Sequence, residues 1–168
     1  LPSRIALTIS VGVLAGIAGL IFGYGLLPLA LIWATFVAWA SFFASGGGAK
    51  GFVRSLLANL AGIVIATLTL LAWLTLGATP LLLGILLVVG AGLLVLISYV
   101  ELFSATPAAV LGFAATVGVV FATGTSVTDP ISLTHPMIAT AIAVVVGTVF
   151  GFVSEKVAGL LTKKDATK

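Results

Sequence analysis

The chain has 168 residues, of which 61% are hydrophobic and only 7% charged, with a formal net charge of +3 and a mean hydropathy of +1.39. A soluble domain carries roughly 25% charged residues because water must wet its surface, so a water-exposed globular fold is excluded and the solvent is lipid. The basic residues are too few and scattered for a nucleic-acid surface and read as topology signals, and the absence of cysteine removes disulfide, thiolate and cysteine–metal chemistry.

A spanning helix takes about 20 mainly apolar residues, so six helices and short turns use the whole of 1–168 as one transmembrane domain. The fold class that follows is all-α, a polytopic membrane helix bundle. The first segment, 5–25, begins after Arg4 and reads as a spanning helix rather than a signal peptide, because further apolar segments follow at once. Tyr24-Gly25-Leu26-Leu27-Pro28 ends it, and Pro28 opens the second segment, 28–44. The run Ser45-Gly46-Gly47-Gly48 is too flexible to stay helical cheaply. The third segment covers 52–76 and the fourth, after Gly77-Ala78-Thr79-Pro80, covers 81–103. Ser104-Ala105-Thr106-Pro107 breaks the chain again, with Ser104 or Thr106 as the expected N-cap. The fifth segment, 108–124, is the weakest, either a full span or a re-entrant half-helix covered by protein. The sixth covers 135–153, and a tail with Lys156, Lys163, Lys164 and Lys168 follows.

Charge placement supports the count of six. With a cytoplasmic N-terminus and alternating helices, Arg4, Lys50, Arg54 and the C-terminal lysines all fall on the cytoplasmic side, as the positive-inside rule requires. Five spans would divide them between the two faces.

Small residues recur at helical spacing: Gly12, Gly16, Gly19 and Gly23 in the first segment, Gly147 and Gly151 in the sixth. Such GxxxG spacings let backbones approach closely, mainly within one bundle and otherwise between subunits. The breaks at Gly46, Gly47, Gly48 and at Pro107 each precede a small-residue-rich helix. The pieces Ser55–Gly62 and Gly112–Val119 look loosely alike across a three-residue gap, which suggests an internal duplication. Both breaks lie on one side of the bundle, however, which counts against an inverted three-plus-three repeat.

Polar groups inside lipid are functional candidates by default. Glu101 near the end of the fourth segment, with Arg54 and Lys50 near the start of the third, forms either an interfacial ion pair that fixes depth or a gate at a charged mouth. Asn59 is the strongest polar group deep in a span, and its amide could line a path for an uncharged polar molecule or bond to a neighbouring helix. Thr116 is the companion pathway candidate. Thr67, Thr69, Thr123 and Thr140 read as hydroxyls bonded to their own helices. His135 lies near the outer interface and reads as a surface residue, and Asp129-Pro130 is a turn. No HExxH, nucleophile–histidine–acid set, paired carboxylates or phosphate loop is present, so neither an enzyme nor a metal or cofactor is expected.

Three stretches resemble a YcdZ-like family of small bacterial inner-membrane proteins of unknown function. They are Gly12-Val13-Leu14-Ala15-Gly16, the Phe43–Gly51 break, and Pro107-Ala108-Ala109-Val110-Leu111-Gly112-Phe113-Ala114-Ala115-Thr116. The resemblance covers most of the chain and implies no activity. Ser104-Ala105-Thr106-Pro107 followed by Gly112, Ala114, Ala115 and Gly118 is also similar to one half of a bacterial urea channel, without its aromatic pore motifs; that similarity implies a homo-oligomer with a narrow pore. The expected function is a channel or facilitator for a small neutral or weakly ionised solute, such as urea, ammonia, formate or a short amide. The rival is an accessory subunit that docks a partner through its Gly/Ala-rich faces.

Overall fold

The computed structural model describes residues 1–162 as an all-helical bundle with no strand among them. α1 covers Ser3–Gly23. A 3-10 turn at Leu29–Leu31 leads into α2, Ile32–Ala44. α3 covers Gly48–Thr75 and α4 Pro80–Ile97. A second 3-10 turn, Glu101–Phe103, precedes α5 at Thr106–Thr123, and α6 covers Pro136–Leu161. Five helices are long and apolar enough to cross a membrane: α1, α3, α4, α5 and α6. The chain is thus a multi-pass membrane bundle.

The short member is the second helix, not the fifth. Leu29–Ala44 falls below spanning length, because its first turn is the 3-10 segment and the Gly run stops it. α5 has 18 residues, which rise about 27 Å. It starts at Thr106 because Pro107 fits a first turn, where no amide is lost. Its N-cap is Ala105, with no side-chain cap bond, so neither Ser104 nor Thr106 caps it. Ser104 instead donates its hydroxyl to the Glu101 carbonyl. α4 likewise stops at Ile97, which leaves Glu101 in the separate turn rather than on the helix.

The helices alternate in direction. The Ser10 hydroxyl of α1 donates to the Ser154 carbonyl of α6 at 2.7 Å, the Gly48 amide meets Glu155 at 2.7 Å, and Arg54 of α3 meets Glu101 beyond α4. Lys50, Arg54, Glu101, Glu155 and Lys156 therefore gather at one end, the charged end, and His135 lies at the far end. Lys163, Lys164 and Lys168 fall outside the described residues. Gly46, Gly47 and Gly48 all take positive φ, at 90°, 65° and 63°, and this turns the Gly48 amide onto the Glu155 carboxylate. A Cβ at Gly47 would stand 2.7 Å from Glu155 Oε1. A carboxylate at a helix start is worth about 1 kcal/mol. Glu155→Gln is therefore expected to lower the thermal midpoint of the detergent-solubilised protein by a few degrees; an unchanged midpoint would show the contact to be idle.

Packing reveals an internal repeat. α3 packs most extensively on α5 and α2 on α6, while α1 and α4 are peripheral. Ala34, Thr35, Ala38, Ser41 and Phe42 are buried on α2, and Ala108, Ala109, Gly112, Ala115 and Thr116 are buried on α5 at the same spacing. Gly51, Ser55, Ala58, Asn59, Gly62 and Ile63 of α3 correspond in the same way to Pro136, Thr140, Ala143, Val144, Gly147 and Thr148 of α6. The closest approaches correspond too. A Cβ on Gly147 would overlap the Thr35 carbonyl oxygen, and one on Gly62 would overlap the Ala109 carbonyl oxygen. Equivalents lie three places apart in the helix order, an odd step along alternating helices, so the second unit is inverted relative to the first.

This correspondence has a different register from the one suggested by Ser55–Gly62 and Gly112–Val119. Those pieces belong to α3 and α5, which cross one another and are not equivalents. The matching breaks are the turn between α1 and α2 and the turn between α4 and α5, and they lie at opposite ends, as inversion requires.

The glycines divide by location. Gly147 and Gly151 are buried against α2, with a Cβ on Gly151 falling 2.7 Å from the Phe42 ring. Gly12, Gly16, Gly19 and Gly23 are exposed, with nothing within 4 Å of a Cβ at any of them. They do not serve packing within this bundle, because the face of α1 that meets α6 carries Ala6, Ser10, Ala18 and Phe22 instead.

Candidate functional site

Two glycines bring α3 and α5 together at the level of Asn59. A Cβ on Gly112 would overlap the backbone carbonyl of Asn59, and Gly62 abuts the backbone of α5 one turn away. Asn59 is fully buried. Its Nδ2 donates to the Ser41 hydroxyl at 2.7 Å and to the Ser55 carbonyl at 2.8 Å. The Ser55 carbonyl can only accept, which fixes which end of the amide is nitrogen. Oδ1 has no hydrogen-bond partner among the described residues. An unmatched buried acceptor costs roughly 1–3 kcal/mol, and it is the one such side-chain atom found among them.

The surrounding hydroxyls are spent on their own helices. Ser41 donates to the Ala38 carbonyl at 2.8 Å, and Thr116 to the Gly112 carbonyl at 3.0 Å. Thr67, Thr69, Thr123 and Thr140 donate four residues back in the same manner. Asn59 and Thr116 thus stand on the two helices of one crossing, with Thr116 a turn beyond the glycine that touches Asn59. Ser41, the direct partner of Asn59, carried no signal in the sequence beyond being a serine in an apolar helix.

Toward the charged end, a cavity of about 200 Å³ is lined by Ala44, Ser45, Arg54, Ser104, Ala105 and Pro107. Ser45 lies one helical turn from Ser41 and donates to its carbonyl at 2.7 Å. Arg54 Nη2 lies 2.6 Å from Glu101 Oε1, with Lys50 at 3.7 Å from the same oxygen. The sequence candidates Lys50, Arg54 and Glu101 are therefore one cluster at the cavity mouth, and the breaks at Gly46–Gly48 and Pro107 frame it. The Glu101 side chain is 75% exposed, and such pairs contribute about 0–1 kcal/mol. Glu101→Ala is accordingly expected to leave the thermal midpoint of the purified protein within about 2 °C. A drop several times larger would mean the pair braces the fold.

The repeat predicts a matching cavity at the far end, with Trp33 where Pro107 stands and Gly118 where Ala44 stands. That space is filled: the Trp33 ring lies where a Cβ on Gly118 would be. Trp33 and Gly118 were missed as a pair by sequence reasoning, since only the register of the repeat joins them. His135 is also at this end but is buried, not a surface residue. Its Nδ1 accepts from the Met137 amide at 3.2 Å and Nε2 lies 3.3 Å from the Val127 carbonyl. The proton therefore sits on Nε2, and the ring ties the 124–135 connection to the start of α6. Asp129 closes a turn, accepting from the Ser126 amide at 2.7 Å. Among the described residues no three His, Cys, Asp or Glu side chains gather as metal ligands.

Residues 8–159 match the family described as protein of unknown function, DUF1097. No curated protein and no solved structure matches the chain. Neither the YcdZ-like label nor the likeness to half a urea channel has a counterpart in these findings. What the match establishes is membership over most of the length: this chain belongs to the DUF1097 family of proteins of unknown function.

Proposed function

We propose that the protein is a passive channel or facilitator for a small neutral or weakly ionised solute such as urea, ammonia, formate or a short amide. The observation that carries this reading is the inverted repeat, with a buried polar cluster at the crossing of α3 and α5. Membrane transport folds commonly arise from inverted repeats and place their solute sites near the repeat interface. A cavity at the charged end, with the corresponding space at the far end filled by Trp33, supports a gated pathway with one mouth closed. The scarcity of ionisable groups deep in the spans speaks for passive flow over proton coupling, and the lack of a catalytic constellation in the sequence speaks against an enzyme. The positive-inside rule supports a cytoplasmic charged end, and with it our reading of the chain as a bacterial inner-membrane protein with both termini inside.

The deciding experiment is stopped-flow light scattering on proteoliposomes challenged with urea, formate, ammonium and glycerol gradients. A protein-dependent rate with at least one solute supports the pathway. Rates equal to protein-free liposomes for all of them reject it.

A second reading, a docking subunit, is favoured by one observation: the exposed Gly12, Gly16, Gly19 and Gly23 stripe on α1. Small residues of this kind let another membrane helix approach closely, in a second copy of the chain or in a partner. A homo-oligomer built through α1 is compatible with the channel reading as well.

A further inference from the structure

We infer that the solute is selected by its hydrogen-bond donors: the buried site at Asn59 takes a small uncharged molecule carrying N–H groups and discriminates against one that can only accept. This rests on the facilitator reading above and names the chemistry of its buried polar cluster. Both Nδ2 protons of Asn59 are already given, to Ser41 at 2.7 Å and to the Ser55 carbonyl at 2.8 Å. The hydroxyl protons beside it are also given: Ser41 to Ala38, Ser55 to Phe52 at 3.3 Å, and Thr116 to Gly112. What remains unused is acceptor capacity only, namely Asn59 Oδ1 and the second lone pairs of the hydroxyls. Among the described residues this fully buried acceptor has no partner, which carries a standing cost, and a donor arriving there recovers it. An acceptor-only solute finds no free proton on Asn59, Ser41, Ser55 or Thr116 and recovers nothing there. Arg54 does carry donors, but it lies at the cavity mouth with its guanidinium on Glu101, where water serves any solute equally well.

Three isomeric neutral amides separate donor count from size and charge. Propionamide has two N–H groups, N-methylacetamide one, and N,N-dimethylformamide none. Protein-dependent flux through proteoliposomes, after subtraction of the protein-free rate, is expected to fall in that order, by about tenfold from first to last, since one net hydrogen bond is worth roughly 1 kcal/mol or more. Acetamide is expected to exceed acetone, a neutral acceptor-only molecule of similar size, in the same preparation, which decides the matter if the larger isomers prove too large to pass. Asn59→Leu is expected to flatten the acetamide preference, and the wild-type ratios stand by themselves if that variant does not fold. Flux of dimethylformamide equal to that of propionamide, or of acetone equal to that of acetamide, overturns donor selection while leaving the facilitator intact. Absence of protein-dependent flux for every solute overturns the facilitator, and donor selection with it.

Discussion

Gly62→Ala and Gly112→Ala are each expected to destabilise the bundle severely, by about 3 kcal/mol or more, while Gly16→Ala leaves it within about 0.5 kcal/mol. The difference lies in what the new methyl group meets. At Gly62 it overlaps the Ala109 carbonyl oxygen and at Gly112 the Asn59 carbonyl oxygen, which are backbone atoms that cannot swing aside as a side chain can. Relief requires α3 and α5 to separate, and the separation would strip contacts from the most extensively packed pair in the fold. At Gly16 the methyl group meets nothing within 4 Å and gains a little helix propensity. Thermal unfolding in detergent, read by loss of the monodisperse peak, measures all three. Equal midpoints for Gly62→Ala and Gly16→Ala would mean the crossing is looser than described. A Gly16→Ala variant that keeps its midpoint but changes its oligomeric size would place α1 at a subunit interface.

Trp33→Ala is expected to raise protein-dependent urea flux by about tenfold without lowering the thermal midpoint by more than a few degrees. The half-buried indole fills the far-end space that corresponds to the cavity behind Arg54. Removing it leaves that space bounded by Gly118 and by the neighbouring helices, whose close contacts lie elsewhere. Large-to-small changes in a well-packed core cost about 3–5 kcal/mol, but this ring lies near a helix end, packed beside the cluster of Phe22, Leu31 and Val119 rather than enclosed by it. Gly118→Ala provides a second test from the opposite side. Its methyl group overlaps the outer edge of the ring, so relief comes by moving the side chain, and the flux should rise in the same direction. Unchanged flux in both variants, with the wild type conducting, would mean that the far mouth is closed by something other than Trp33.

The membrane class and the number and direction of helices were legible in the sequence because each depends on local quantities. Mean hydropathy over a window sets whether a stretch partitions into lipid, and Gly/Pro clusters such as Gly25–Pro28 and Gly77–Pro80 set where it turns. Asn59 stood out for the same reason, being a lone amide in an apolar run. Other features depended on which atoms meet in space. In lipid, hydrophobicity does not distinguish an inward face from an outward one, so the GxxxG spacings of α1 and α6 look identical as text although only Gly147 and Gly151 are buried. The repeat joins Ser55 to Thr140, Asn59 to Val144 and Ile63 to Thr148, pairs alike in bulk and burial more than in identity, and residue size leaves little trace in a chain made largely of small and apolar residues. Glu155 reaches the Gly48 amide, Ser41 reaches Asn59, and Trp33 fills the space beside Gly118 across separations that no periodicity reports. That this protein lives in lipid as an alternating helical bundle could be read from its residues one stretch at a time. Which small residues let helices cross, which acceptor lacks a partner among the described residues and which space the Trp33 ring fills could not, because those outcomes are set by contacts between helices and not by the character of any one of them.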